Sequence, residues 1–247
     1  MTDTLRRAFV SGTPKEGDHL DLDPDESHHV ARVLRLKVRD ALAVFDGNGG
    51  EWEATIEAAT RERVSVVVGR PVPGAVEPAV RVVLHQALVR PEKLEWVLQK
   101  GTEVGVAAFR LVPSDRAEAP PPSPARLARY ARIVMEACKQ SGRRRLPALS
   151  SGALDAPPAG VVAIVLGHAP EVASIGTVLA GPRAEDVWLA VGPEGGFSES
   201  ELDVLIRAGW RCASLGPRVL RTETAGVVAA ALVLHAWGDL GPKAARS

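Results

Sequence analysis

Two hydrophobic rhythms divide the chain. In the first 75 or so residues the apolar positions come in short extended runs. Residues 41–45 and 51–56 flank Asp46-Gly47-Asn48-Gly49-Gly50. Two extended runs around a Gly/Asn/Asp cluster predict a β-hairpin. Residues 63–68, Arg-Val-Ser-Val-Val-Val, predict a third strand. Residues 26–36 place Val30, Val33 and Leu34 at helical spacing. Short strands with one helix in this length predict a small barrel. Residues 70–78 then hold Pro71, Pro73, Gly74 and Pro78, too many breakers for a regular ladder, and read as a linker.

Beyond the linker the period changes. The apolar stretches at 80–84, 107–112 and 212–215 read as strands, and those at 161–166 and 187–191 as buried strands. Helical patterns alternate with them. One covers 91–100 with Pro91 in its first turn, and one runs from Ser123-Pro124 through Cys138. One starts at the capping box Ser198-Glu199-Ser200-Glu201 and stops at Gly209. The last spans 225–237, ends at Gly238 and is apolar almost all round. A helix of that kind must be buried, against its own sheet or a second subunit. Strand–helix alternation predicts an α/β layer fold with a largely parallel sheet. The expected domains are 1–72 and 79–247.

Composition narrows the class. The chain has 247 residues, 46% hydrophobic and 24% charged, which excludes disordered and collagen-like chains. Its two cysteines, Cys138 and Cys212, are far apart, so neither a disulfide framework nor a cysteine-built zinc site is expected, and a reducing cytoplasm fits. The longest apolar run, 227–234, is far short of the roughly 20 residues that cross a bilayer, so no membrane segment is expected. Residues 1–10 lack the apolar stretch of a secretory leader. The zero net charge conceals a gradient: net −4 over 1–79, +7 over 80–147 and −3 over 148–247. Of the 30 basic residues 24 are arginine, which forks onto phosphate and stacks on bases. A basic middle is compatible with an anionic polymer as partner, and equally with solvated helix faces.

Three glycine-containing loops each follow a predicted strand: Val191-Gly192-Pro193-Glu194-Gly195-Gly196-Phe197, Leu215-Gly216-Pro217-Arg218-Val219-Leu220-Arg221-Thr222-Glu223-Thr224, and Leu166-Gly167-His168-Ala169-Pro170. In open α/β sheets ligands lie beyond the carboxyl ends of strands, and glycine lets backbone approach them closely. Three such loops predict one pocket, against the plainer reading of three ordinary connections. No loop is a P-loop, a dinucleotide fingerprint, a nucleophile elbow or a zincin motif. His28 and His29 are adjacent, point to different faces and have no third ligand near in sequence, so no metal is expected.

The first two loops together resemble the C-terminal signature of the RsmE family, methyltransferases of the SPOUT superfamily. Arg7-Ala8-Phe9-Val10, residues 28–36 from His28 to Leu36, Phe45-Asp46-Gly47, residues 99–106 from Gln99 to Val106, and residues 136–143 from Glu136 to Arg143 resemble further family motifs in the right order. The resemblance implies an N-terminal PUA-like β-barrel and a C-terminal SPOUT α/β domain with a deep trefoil knot. It implies a homodimer that uses S-adenosylmethionine to methylate N3 of a uridine, position 1498, in 16S ribosomal RNA of the 30S subunit. It implies cofactor contacts from Leu166, Gly167, Gly192, Glu194, Gly195, Gly196, Leu215, Gly216 and Leu220, so that a side chain at Gly195 or Gly196 blocks binding.

Methylation at N3 leaves charge on the flanking oxygens, and a cation aimed there stabilises the transition state. Arg221 is the candidate for that role and Glu223 the candidate base. The other reading of Glu223 is a carboxylate facing a helix N-terminus. Arg7, Arg32, Arg35, Lys100 and Arg143 are the expected RNA contacts, made to phosphates. Two alternatives stand beside this reading: a non-catalytic RNA-binding assembly factor, and a SPOUT enzyme methylating ribose 2′-O.

Overall fold

A computed structural model describes residues 5–60, 62–74, 77–117, 119–167, 172–237 and 240. His168, Ala169, Pro170 and Gly238 lie outside the described residues. The chain forms two compact units. One comprises Met1–Glu77 with Cys138–Leu146, the other Pro78–Ala137 with Pro147–Ser247.

The first unit is a curled five-stranded sheet. Its strands are β1 (Arg7–Phe9), β2 (His19–Asp21), β3 (Ala41–Phe45), β4 (Glu51–Ala59) and β5 (Val64–Pro71), in the order β1-β3-β4-β5-β2. β1 runs parallel to β3 and the other pairs are antiparallel. The β3–β4 hairpin turns at Asp46, whose carboxylate accepts the N–H groups of Asn48 (2.7 Å) and Gly50 (2.9 Å). That Asx-type bonding is why Asp opens this turn. Alternate residues of β4 (Trp52, Ala54, Ile56) point into a core with Leu42, Val44, Val64 and Val66. β5 runs on to Pro71, into the segment expected to be linker, because Pro71 still pairs with Trp52.

The helix expected over 26–36 starts two residues earlier, ends at Val33 and is α-helical only in its first half. Asp23 caps α1 (Pro24–His28), and the chain then widens to a π turn over His29–Val33. Arg35, at φ 56°, ends it in the left-handed region, which is costly for a residue with a Cβ.

The segment Cys138–Leu146, placed by sequence in the second domain, packs within this first unit. Arg7 donates to the carbonyls of Cys138 (2.7 Å) and Arg143 (2.9 Å), pairs with Glu51 (2.6 Å) and lies over the Phe45 ring. Arg144 reaches Glu51 at 2.7 Å and Arg143 reaches Glu77 at 2.7 Å. Burial alone pushes the Glu77 carboxyl up. The Arg143 hydrogen bond and the Arg145 and Arg144 backbone N–H groups outweigh it and hold the group below its usual range.

The second unit is a six-stranded, wholly parallel sheet. Its strands are β6 (Arg81–Ala87), β7 (Ala108–Val112), β8 (Ala148–Ser151), β9 (Val162–Leu166), β10 (Asp186–Val191) and β11 (Arg211–Ala213), ordered β11-β9-β10-β6-β7-β8. The helices are α2 (Pro91–Val104), α3 (Pro124–Ser141), α4 (Ile175–Leu179), α5 (Glu199–Arg207) and α6 (Thr222–Trp237). The final helix packs on α2, α4, β6 and β10, so its own sheet takes the apolar surface through Ala229, Ala230, Val233 and Leu234. Gly226 lets it approach closely, since a Cβ there would meet Leu84 at 3.1 Å. The alternating pattern of β6 sends Val82, Leu84 and Gln86 toward α6 and His85 to the opposite face.

Candidate functional site

The central strands β10 and β6 lie side by side, with Val191 opposite Gln86. Their carboxyl ends open onto a cavity of about 500 Å³ within the second unit. That volume suits a ligand of nucleoside size. Two loops build its walls, and each is held by bonds that its sequence makes possible.

The first loop, 192–197, leaves β10. A Cβ on Gly192 would sit 2.8 Å from the Phe197 nitrogen and 2.9 Å from the Gly196 carbonyl carbon, so the loop folds back on itself across a residue without a side chain. The Gly196 N–H donates to the Pro193 carbonyl, and Gly196 takes φ 68°. Phe197 is buried and anchors the far end. Ser198 then caps α5 with the predicted capping box, its hydroxyl accepting from the Glu201 N–H while Glu201 accepts from the Ser198 N–H. Outside the loop, Arg116 donates to the Gly195 carbonyl at 2.7 Å.

The second loop, 214–221, follows β11. The Ser214 hydroxyl accepts from the Gly216 N–H, and Gly216 takes φ 108°. The loop ends in α6, whose first turn begins with the Arg221 carbonyl accepting from the Thr224 and Ala225 N–H groups. Thr222 joins the two loops. It accepts from Gln86 Nε2 at 3.0 Å and donates to the Gly192 carbonyl at 2.6 Å. Gln86 is fully buried, and its Oε1 has no hydrogen-bond partner among the described residues.

Of the residues expected to hold a cofactor, Leu166, Gly167, Gly192, Glu194, Gly195, Gly196, Leu215 and Leu220 all line this cavity, and Gly216 does not. A Cβ on Gly167 would lie 2.5 Å from Cys212 Sγ. A Cβ on Gly195 would meet the flexible Arg116 side chain at 3.3 Å. Arg221 is exposed and lines the cavity. Glu223 does not: its Oε2 is buried with no hydrogen-bond partner, 3.7 Å from Lys93 Nζ. A carboxylate in the first turn of α6, facing the positive end of the helix dipole and an ammonium, fits the second of the two sequence readings.

Sequence reasoning missed Lys93, Thr222, Arg218 and Gln86. Lys93 stands in the first turn of α2, lines the cavity and pairs with Glu194 at 2.6 Å. The Glu194 hydrogen bond raises its pKa, which keeps it a cation. Burial pushes Glu194 up, but the Lys93 hydrogen bond and charge prevail and hold its carboxyl below the usual range. With Arg218 and Arg221, the described residues lining the cavity carry three cations against one carboxylate.

The expected RNA contacts divide. Arg32 and Arg35 are exposed in the first unit, and Lys100 is half-buried and paired with Glu103. Arg7 and Arg143 are corrections: both are buried and bonded inside the first unit, so neither guanidinium faces a phosphate. Among the described residues there is no cluster of metal-ligating side chains and no helix long and apolar enough to cross a membrane.

The RNA methyltransferase domain pattern matches residues 76–234, and the RNA methyltransferase PUA domain pattern matches 22–69. The chain belongs to the RNA methyltransferase family. Its relatives carry a more particular name. The ribosomal RNA small subunit methyltransferase E of Mycobacterium bovis is 35% identical over 237 residues, 90% of this chain and 88% of its own. That of Bacillus subtilis is 26% identical, over 94% of this chain and 96% of its own. The crystal structure of the Neisseria gonorrhoeae enzyme of that name, bound to S-adenosyl methionine, superposes with a TM-score of 0.89 at 29% identity, covering 96% of this chain and 99% of that one. A Legionella pneumophila methyltransferase in complex with SAM gives 0.86 at 31% identity, over 94% and 97%. The RsmE motifs seen in the sequence thus lie in a chain whose relatives match along nearly their whole length.

Proposed function

We propose that this protein uses S-adenosylmethionine to methylate N3 of uridine 1498 in 16S ribosomal RNA, acting on the 30S subunit in the cytoplasm as a homodimer with a trefoil-knotted second domain. The observation that carries the reading is the cavity at the ends of β10 and β6, walled by Gly192, Gly195 and Gly196 and by Leu215 and Leu220. Close backbone, apolar side chains and a few polar groups are what a nucleoside cofactor needs. When bound, S-adenosylmethionine supplies an electrophilic methyl group.

The chain's own residues do the rest. The two loops hold cofactor and base for in-line attack, which is mainly positioning. Arg221 faces the cavity and meets the charge that develops on the oxygens flanking N3. By favouring the deprotonated base, it helps the N3 proton pass to water at the cavity mouth. Arg32 and Arg35 hold phosphates in the first unit. The uridine is presented unpaired, because N3 is buried in a normal base pair.

The test is calorimetric titration with S-adenosylmethionine, followed by methyl transfer to 30S particles and mass analysis of the product nucleoside. One cofactor per chain and methyl on uracil N3 are the expected results. Methyl on ribose assigns the other specificity, and no cofactor binding at millimolar concentration makes the protein an RNA-binding factor.

A further inference from the structure

Among the described residues Lys93 is the one lysine in the cavity lining, and it faces two acidic side chains. Its ammonium lies 2.6 Å from Glu194 of the first loop and 3.7 Å from Glu223 at the start of α6. The three side chains are 24%, 34% and 17% exposed, so water screens the group only in part. Glu223 Oε2 has no hydrogen-bond partner among the described residues, and the Lys93 ammonium is the cation that pairs with it. A desolvated carboxylate without such a charge is costly.

Each member comes from a different element. Lys93 is held by α2, which begins at Pro91. Glu194 lies between Gly192 and Gly195 on a loop whose glycines leave it few side-chain anchors. Within that loop Glu194 is the residue that makes a side-chain ion pair. Two further cations face the cluster: Arg90 acts on Glu194, and Arg221 acts on Lys93.

We propose that Lys93 is a positioning residue of the cofactor site, its ammonium tying the 192–197 loop through Glu194 to the first turn of α6 through Glu223. It transfers nothing and holds the loop in the conformation that binds cofactor. The inference rests on the reading of that loop as the cofactor cradle. Because Glu194 is held ionised, the tie exists above its lowered pKa and is lost as pH falls through it. Without the ammonium there is no tie at any pH.

The experiment compares wild type, Lys93→Met, Lys93→Arg, Glu194→Gln and the Lys93→Met/Glu194→Gln double variant. Two readouts are used: calorimetric Kd for S-adenosylmethionine across pH, and hydrogen exchange of the loop amides in unliganded protein. A half-buried, charge-assisted pair is expected to shift Kd by about fivefold. Lys93→Met and Glu194→Gln each weaken binding by about that factor at neutral pH, lose the acid-side fall in affinity and speed loop exchange. The double variant is no worse than either single one, and Lys93→Arg restores most of the affinity. Wild-type Kd and exchange in both single variants overturn the proposal, as do fully additive effects in the double variant. A wild type that binds no cofactor defeats the cofactor reading alone, since loop exchange still judges Lys93.

Discussion

Gly192→Ala isolates the packing of the first loop from its chemistry. The added methyl carries no charge, and Gly192 is absent from the residues at positive φ, so its backbone conformation admits alanine. Its cost is steric. The new Cβ meets the Phe197 nitrogen at 2.8 Å and the Gly196 carbonyl carbon at 2.9 Å, both backbone atoms. Ordinary contact begins at 3.4 Å, so the loop must open by about 0.5 Å. Two anchors resist it: the Thr222 hydroxyl on the Gly192 carbonyl at 2.6 Å and the buried Phe197 ring. Overpacking of this kind costs about 1–3 kcal/mol. Expressed as cofactor affinity, that is roughly 5- to 150-fold. Gly176→Ala is the matched control, because it lies outside the cavity lining and its Cβ meets only Ser174 Oγ at 3.6 Å, an ordinary contact. Calorimetric titration with S-adenosylmethionine checks both, and thermal melting confirms that both fold. A Gly192→Ala protein with wild-type Kd, or a Gly176→Ala protein as weak as Gly192→Ala, refutes the account of the cradle.

Two further outcomes follow from the second unit. Arg221→Ala is expected to lower the methylation rate about 100-fold, the usual cost of removing one transition-state stabiliser. Its cofactor Kd should stay within about twofold, and a near-wild-type single-turnover rate would remove the electrostatic role. His85 is fully buried between Trp188 and Trp210, and neither ring nitrogen has a hydrogen-bond partner among the described residues. Burial, with help from Arg110 and against Asp155, pushes its pKa down to about 4. The unfolded chain therefore binds this proton more readily below about pH 6.5. Stability should be full above that pH and fall by roughly 3 kcal/mol as pH drops toward 4. Denaturant melts across this window should show the slope in wild type and a flatter curve in His85→Leu. Equal slopes would mean that His85 is not the group responsible.

Much of the second unit is legible because its signals are local. The capping box at Ser198 and Glu201 closes within three residues, and the structure contains both of its bonds. Proline at the start of α2 and the apolar runs of β6, β9 and β10 need no distant partner to be read. The glycine loops are legible too, since a glycine just after a buried strand marks a close backbone approach wherever the partner lies. The three-residue strands β1 and β2 and the four-residue β8 escape notice because so few positions show no period. So does the five-residue α4.

The basic middle of the chain shows where local reading stops. In sequence Arg143 reads as a phosphate contact, or with Arg144 and Arg145 as a solvated turn after a helix. Arg143 and Arg144 instead bind Glu77 and Glu51, 66 and 93 positions earlier, and Arg7 crosses 131 residues to the Cys138 carbonyl. Nothing in a run of arginines says whether its partners are phosphates or buried carboxylates. The same holds for Lys93 and Glu194, 101 residues apart, and for Gln86 and Thr222, 136 apart. The sequence by itself determined the elements, the capped helix starts and the glycine-walled loops, because turn chemistry and periodicity act within a few residues. Only the tertiary structure decided which charges meet. Pairing β6 beside β10 and laying α6 over both brings Gln86, Lys93, Glu194, Thr222 and Glu223 together at one end of one sheet. That strand order is set by the burial of the whole core, a sum over residues from Val80 to Trp237 that no local window contains.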